Sequence, residues 1–176
     1  MPQEPTSFRV KGYVLVLGDN VDTDTIIPAR FLHLTDPARL AEGVFTNTPE
    51  IRKRFDKLPK PVVIVAGRGF GYGSSREHAP IALRAAGVAA VLAESFHRIF
   101  YRNAINNGLL VAEAPMGLNR RLMDGDPVVI EITPQGGYVD TPYGTYPLRP
   151  LPGYILSLLS RGGLREELRR LASTRS

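Results

Sequence analysis

Residues 61–93 read PVVIVAGRGFGYGSSREHAPIALRAAGVAAVLA and set the fold class of the chain. Residues 61–66 are continuously apolar, which is typical of a strand that is buried on both faces. A glycine-rich segment follows, then a helical pattern over residues 79–86, and a second apolar strand over residues 88–93. The order strand, helix, strand predicts two parallel strands joined by a right-handed crossover.

The segment upstream of this unit predicts one more strand. Residues 9–17 (RVKGYVLVL) alternate and are rich in β-branched side chains, so we expect a strand that ends at a turn beginning at Gly18. A loop that carries Asp22 and Asp24 is predicted to follow. Asp19 and Asp22 are expected to be turn formers, because aspartate bonds its own backbone in loops.

The segment downstream of the unit predicts a mixed sheet. We expect, in chain order, a helix over residues 96–107, a strand over 109–112, a β-hairpin over 127–138 that turns at Gly136-Gly137, and a helical region over 154–171 with a break at Gly162-Gly163. Residues 133–152 are rich in Pro, Gly and Thr, and residues 47–60 contain two prolines and a threonine, so we expect loops at both ranges. The class is α/β with added antiparallel strands.

Composition predicts one domain over residues 1–176, with flexible ends at 1–8 and 172–176. The chain is 43% hydrophobic but has no apolar run of the roughly 20 residues that a membrane helix needs. Residues 1–8 lack the apolar core of a secretory signal, which favours the cytoplasm. We therefore expect no membrane partner.

Cysteine content and charge narrow the possible partners. The chain has no cysteine and three histidines, so it cannot supply the thiolates of an iron–sulfur cluster, and we predict no metal site of its own. Any cluster must come from a partner. The formal net charge is +5, and much of the excess lies in residues 161–175, where arginines alternate with glutamates and leucines. This pattern is typical of a solvated helix face and does not favour nucleic acid.

The glycine-rich segment is not a standard nucleotide-binding motif. In the dinucleotide pattern GxGxxG the third glycine would fall on Tyr72, Ser74 or Arg76, and the Walker pattern lacks its Gly-Lys-Ser/Thr. Pro80 fits best in the first turn of a helix, so the helix is expected to begin near residues 77–79. Ser74 and Arg76 then lie just ahead of its positive end.

An anion site at this helix start is one of two interpretations. The glycines, among them Gly71 and Gly73, let the backbone bend and expose amide groups, and a helix N-terminus stabilises negative charge. The alternative is a capping box with Ser74 as N-cap and Glu77 three residues later. A capping box would leave Arg76 and the four glycines unexplained, so we favour the functional interpretation.

Several ordered motifs resemble one known family. Residues 69–80 (GFGYGSSREHAP) resemble the Gly-Ser-Ser-Arg-Glu-His signature of the aconitase swivel domain. Residues 19–28 (DNVDTDTIIP) resemble the matching segment of isopropylmalate isomerase small subunits. Residues 93–108 and 151–164 follow the same family, and the resemblance spans residues 9–168.

This resemblance implies a fold and an activity. The fold would be a swivel-like three-layer β/β/α domain with a mixed sheet. The activity would be that of a hydro-lyase of leucine biosynthesis, which isomerises a small hydroxy-dicarboxylate or hydroxy-tricarboxylate by dehydration and rehydration. A large subunit would supply the [4Fe–4S] cluster and would form a heterodimer or heterotetramer with this chain.

The resemblance also implies roles for single residues. Ser74 would be the base that removes a proton next to a carboxylate, and Ser75 and Arg76 would bind a substrate carboxylate. Asp24 would be an active-site aspartate that orients polar groups. Gly71 and Gly73 would supply the anion-binding backbone.

Substrate choice stays open at this point. In this family the loop after the DTD element helps to select the substrate, and here residues 31–35 read FLHLT. In the homoaconitase type, the corresponding loop resembles Tyr-Leu-Arg-Thr, and its arginine would pair with a distal carboxylate of the substrate. Here His33 stands in place of that arginine and the apolar Leu34 follows, which favours a substrate with an isopropyl group. A protonated histidine would still bind a carboxylate.

Two further classes remain as alternatives from the sequence. One is an independent phosphate- or nucleotide-binding domain, and the other is a structural or regulatory subunit without chemistry.

Overall fold

The computed structural model of the chain describes residues 7–175. The strands are β1 (Phe8–Val16), β2 (Val62–Ala66), β3 (Val88–Ala93), β4 (Leu110–Glu113), β5 (Pro127–Thr133), β6 (Gly136–Thr141) and β7 (Gly144–Leu148). The α-helices are α1 (Thr23–Ile26), α2 (Pro37–Glu42), α3 (Pro49–Asp56), α4 (His78–Ala85), α5 (Arg98–Asn106), α6 (Gly153–Ser160) and α7 (Leu164–Ser173). Short 3₁₀ turns span Ala29–Phe31 and Leu118–Arg120.

These seven strands form one mixed sheet in the order β4-β3-β2-β1-β5-β6-β7. Strands β1 to β4 are parallel, with Leu15 opposite Ile64 and Ile64 opposite Val91, whereas β5 to β7 join antiparallel. The sheet curls, and the amide of Arg149 after β7 donates to the carbonyl of Glu113 in β4 across 3.0 Å. The α/β class, with its parallel strand-helix-strand core and added antiparallel strands, is confirmed.

The carboxyl ends of the parallel strands bring the loops after β1, β2 and β3 together. Strand β2 is buried along its whole length, as its apolar run predicts. After it, the amide of Phe70 donates to the carbonyl of Ser95 at 3.1 Å, and the amide of His97 donates to the carbonyl of Phe70 at 3.0 Å. The buried Phe70 ring packs edge-on against Phe100 at 5.2 Å between centroids. This edge of the sheet is where the glycine-rich segment lies.

The prediction of a loop over residues 47–60 is wrong, because α3 lies within it. Pro49 starts the helix, and Phe55 is its only buried residue, packed edge-on against Phe45 at 5.5 Å. Most other side chains of α3 are charged, so the apolar periodicity that would predict a helix is weak. Helix α2 and the short α1 were also not predicted.

The prediction of a loop over residues 133–152 is wrong as well, because β6 continues to Thr141 and β7 follows. The hairpin between β5 and β6 turns at Pro134 and Gln135 rather than at the two glycines. The hydroxyl of Thr133 closes this turn by donating to the carbonyl of Gly136 at 2.8 Å. Gly137 pairs with Ile132, and a β carbon on Gly137 would lie 3.2 Å from the Ile132 side chain. Gly137 therefore lies in a close strand contact and not in the turn.

The ends of the chain were expected to be flexible. Residues 1–6 and 176 lie outside the described residues, Phe8 begins β1, and α7 continues to Ser173.

Within residues 7–175, no helix combines the length and the apolar character required to cross a bilayer.

Candidate active site

Glycines with positive φ angles bend the segment between β2 and α4. Gly69, Gly71 and Gly73 have φ angles of 69°, 84° and 112°, a region that side chains disfavour. A β carbon on Gly71 would lie 2.3 Å from Cγ of Phe100, so only glycine fits there. The backbone is thereby folded against the segment that follows β1.

Two short backbone hydrogen bonds join these two segments. The amide of Gly71 donates to the carbonyl of Val21 at 2.7 Å, and the amide of Thr23 donates to the carbonyl of Tyr72 at 2.9 Å. Asp22 is the N-cap of α1, and its Oδ1 accepts from the amide of Thr25 at 2.6 Å. The expected loop at residues 22–24 is therefore the start of a capped helical turn, which holds Thr23 and Asp24 in fixed directions.

Ser74 presents its hydroxyl at this junction. Its Oγ lies 3.4 Å from Oγ1 of Thr23, and Ser74 itself is exposed while Thr23 is buried. The N-cap of α4 is Glu77, and no side chain caps that helix. The capping-box interpretation of Ser74 and Glu77 is therefore wrong, because the N-cap position lies three residues after Ser74 and the helix begins at His78.

Arg76 and Asp24 form the charged part of the site. Nη1 of Arg76 donates to Oδ1 of Asp24 at 2.6 Å, and their side chains are 19% and 60% exposed. The carbonyl of Asp24 also accepts a hydrogen bond from Nδ2 of Asn47 at 3.3 Å. Ser74, Arg76 and Asp24 thus share one site, although two separate segments supply them.

Some residues that contact the glycine-rich segment were given no role in the sequence analysis. Nδ2 of Asn103 approaches the carbonyl of Ser75 at 3.5 Å, and the buried Asn107 donates to the carbonyl of Asn103 at 2.8 Å. Ser75 is exposed, and its hydroxyl makes no hydrogen bond within residues 7–175. Thr23 was also missed. Its sequence neighbours gave no signal for its contact with Ser74, because that contact depends on tertiary packing.

No side-chain hydrogen bond or ion pair joins His33 or Leu34 to this site within the described part of the chain. His33 is exposed in the turn after residues Ala29–Phe31 and makes no hydrogen bond or ion pair there. Leu34 is half-buried and packs against the hydrophobic core. Their role in substrate choice therefore stays a prediction.

The positive charge of the segment is partly balanced. Oδ1 of Asp19 accepts from the amide of Arg68 at 2.8 Å, and its second oxygen lies 3.7 Å from the Arg68 guanidinium.

Residues 7–175 contain no group of three His, Cys, Asp or Glu side chains placed to hold a metal ion. The chain has no cysteine, so it supplies none of the thiolates that ordinarily hold an iron–sulfur cluster.

A neighbouring cleft of about 510 Å³ is lined by Phe96, Tyr101, Glu113 and Arg149, among others. Burial raises the pKa of the Tyr101 phenol above its ordinary value, and the negative charge of Glu113 raises it further. The phenol is therefore protonated at neutral pH and does not offer a base beside the glycine-rich segment.

Comparison with known proteins identifies the family of this chain. The profile of the aconitase C-terminal domain matches residues 17–116, which include Ser74, Arg76 and Asp24. The 3-isopropylmalate dehydratase small subunit of Pyrobaculum calidifontis is 47% identical over 165 residues, 93% of this chain and 99% of that protein. The small subunit of the same name from Moorella thermoacetica is 45% identical over 167 residues, 94% of this chain and 98% of that protein.

A solved structure agrees with these relatives. The crystal structure of 3-isopropylmalate dehydratase (leuD) from Methanocaldococcus jannaschii superposes with a TM-score of 0.78 at 38% sequence identity. The match covers 96% of this chain and 99% of that one. The chain therefore belongs to the aconitase C-terminal domain family, together with the small subunits of 3-isopropylmalate dehydratase.

Proposed function

We propose that this chain is the small subunit of a cytoplasmic 3-isopropylmalate dehydratase of leucine biosynthesis. With a cluster-bearing large subunit it would interconvert 2-isopropylmalate and 3-isopropylmalate by removing and re-adding water. The relatives that match nearly the whole chain carry this name, which supports the proposal. The observation that carries it is the convergence of Ser74, Arg76 and Asp24 at one edge of the sheet.

Ser74 is proposed as the base of the reaction. Dehydration of a hydroxy acid removes a proton from a carbon next to a carboxylate, and the electron pair of that C–H bond forms the double bond as the C–O bond breaks. Oγ of Ser74 takes this proton in one direction and returns it in the other. A serine alkoxide is unstable in water, so it needs hydrogen-bond donors and a closed site.

The exposure of Ser74 supports the need for a partner. In this chain the Ser74 side chain faces solvent, which would quench an alkoxide. A large subunit that covers the glycine-rich segment would exclude this water. The departing hydroxyl would be taken up on the large subunit, where a [4Fe–4S] cluster supplies Lewis-acid chemistry.

Arg76 is proposed to bind a substrate carboxylate, with help from Ser75. One Nη of its guanidinium donates to Asp24, and the planar group has further N–H donors that match the two oxygens of a carboxylate. Asp24 fixes the plane of the guanidinium and so acts as a positioning residue. The Gly73 amide is proposed to add a dipole at the same place, whereas the Gly71 amide already donates to the carbonyl of Val21.

Isopropylmalate is the proposed substrate for two reasons. The relatives bear its name, and Leu34 supplies an apolar side chain where the homoaconitase-type pattern has a polar threonine. Rates of the reconstituted pair with isopropylmalate, homocitrate and citrate, measured side by side, test this choice. Turnover of isopropylmalate alone is the expected result. A preference for homocitrate would contradict it and would assign His33 to a distal carboxylate.

Reconstitution tests the proposed function itself. The purified chain alone should be colourless and inactive, and dehydratase activity should appear on addition of the large subunit with its cluster. Activity of the chain alone, or an inactive pair with an intact cluster, would contradict the proposal. Stabilisation of the chain against heat by ATP or NAD would instead support a nucleotide-binding domain, because a ligand that binds only the folded state raises its stability.

A further inference from the structure

The side chain of Thr23 forms the buried floor beneath Ser74. Thr23 is 3% exposed, whereas Ser74 above it is exposed, and the two hydroxyl oxygens lie 3.4 Å apart. Buried hydroxyl groups almost always have a hydrogen-bond partner. Within residues 7–175, the Ser74 hydroxyl is the only partner of the Thr23 hydroxyl.

The backbone imposes this approach. The amide of Thr23 donates to the carbonyl of Tyr72, two residues before Ser74, at 2.9 Å. Between them, Gly73 has a φ angle of 112°, and a β carbon there would lie 2.9 Å from Oγ1 of Thr23. A side chain at residue 73 would therefore occupy the space through which Thr23 reaches Ser74.

We infer that Thr23 is a positioning residue for Ser74, an inference that rests on the proposed function of Ser74 as the base. Ser74 regains its oxyanion form when it returns the proton to the substrate carbon, and in this form the Thr23 hydroxyl donates a hydrogen bond to the oxyanion and holds its direction. The separation of 3.4 Å is longer than the usual 2.7–2.8 Å of such a bond. Hydrogen bonds of catalytic groups are often long in the free protein and shorten in the complex with substrate.

Kinetics of the reconstituted pair test this role. Thr23→Val keeps the shape of the side chain and removes the donor, so kcat should fall about tenfold to hundredfold, as expected for a hydrogen bond to a charged group. KM should change little, because Thr23 is buried beneath Ser74. Thr23→Ser restores the hydroxyl and should recover most of the lost kcat.

The matched control is Thr25→Val in the same short helix. The hydroxyl of Thr25 makes no hydrogen bond within the described residues, while its amide is held by Asp22 as before. This variant should keep the wild-type kcat. Thermal unfolding of each variant shows whether the fold is retained before rates are compared.

A double variant separates positioning from a structural effect. If Thr23 acts through Ser74, Thr23→Val should add no further loss in a Ser74→Ala background. A wild-type kcat for Thr23→Val, or equal losses for Thr23→Val and Thr23→Ser, would overturn the inference. A wild-type pair that fails to turn over isopropylmalate would instead refute the proposed function, so the two failures are distinguishable.

Discussion

The guanidinium of Arg76 donates to the carboxylate of Asp24 across 2.6 Å, although 52 positions separate the two residues. Asp24 lies in the first turn of α1, and Arg76 lies just before α4. The backbone bonds of Gly71 to Val21 and of Thr23 to Tyr72 bring their segments together. The pair therefore links the two motifs of the sequence into one site.

Asp24→Asn should lower kcat of the reconstituted pair about tenfold, because a loosely held Arg76 orients the substrate less well. Stability should change by about 1 kcal/mol or less, since Asp24 is largely exposed and exposed ion pairs contribute little. Steady-state kinetics and urea unfolding check the two parts. An unchanged kcat would show that Asp24 does not position Arg76.

Arg76→Lys should raise KM and lower kcat, because an ammonium group cannot bind a carboxylate through two parallel N–H donors. The control is Arg68→Lys, which alters an exposed arginine of the same segment that pairs with Asp19 at 3.7 Å. We expect that control to retain wild-type kinetics. Equal effects of the two substitutions would mean that only general positive charge is needed.

Gly71→Ala should destabilise the fold by about 2–4 kcal/mol, since alanine disfavours a φ of 84° and its β carbon would collide with the Phe100 ring. Gly18→Ala is the matched control, because a β carbon there meets no atom within 4 Å. Its effect should stay within about 0.5 kcal/mol. Denaturant midpoints of the two variants give the comparison, and similar midpoints would contradict the close packing at Gly71.

The sequence predicted the parallel core well because its signals are strong and local. Residues 61–66 and 88–93 are apolar runs with glycines at their ends, and the strands Val62–Ala66 and Val88–Ala93 agree to within one residue. Pro80 correctly placed the start of α4. The elements that were missed have weak local signals: α3 buries only Phe55, and β7 contains Pro147 at the edge of the sheet.

The site was predictable only in part for a physical reason. Motifs pointed to Ser74, Arg76 and Asp24 as candidates, but sequence separation carries no information on which side chains meet. The contact between Thr23 and Ser74 depends on the positive φ of Gly73 and on the backbone bond to Tyr72. Such geometry arises from tertiary packing, so Thr23 could not be assigned from its own sequence neighbourhood.

Ser74→Ala should destabilise the isolated chain by about 1 kcal/mol, because it removes the hydrogen-bond partner of the buried Thr23 hydroxyl. Ser74 is exposed and does not cap α4, so its loss removes neither packing nor a helix cap. Urea unfolding of the isolated chain measures this. Unchanged stability would contradict the dependence of the buried Thr23 hydroxyl on Ser74.

The turnover number of the reconstituted pair with Ser74→Ala, measured on isopropylmalate at saturation, tests the proposed role of Ser74 most directly. We predict that kcat falls by at least a hundredfold, as expected for loss of a general base, while KM, cluster content and complex formation stay close to wild type. A kcat within a few-fold of wild type in a correctly assembled pair would contradict the assignment of Ser74 as the base.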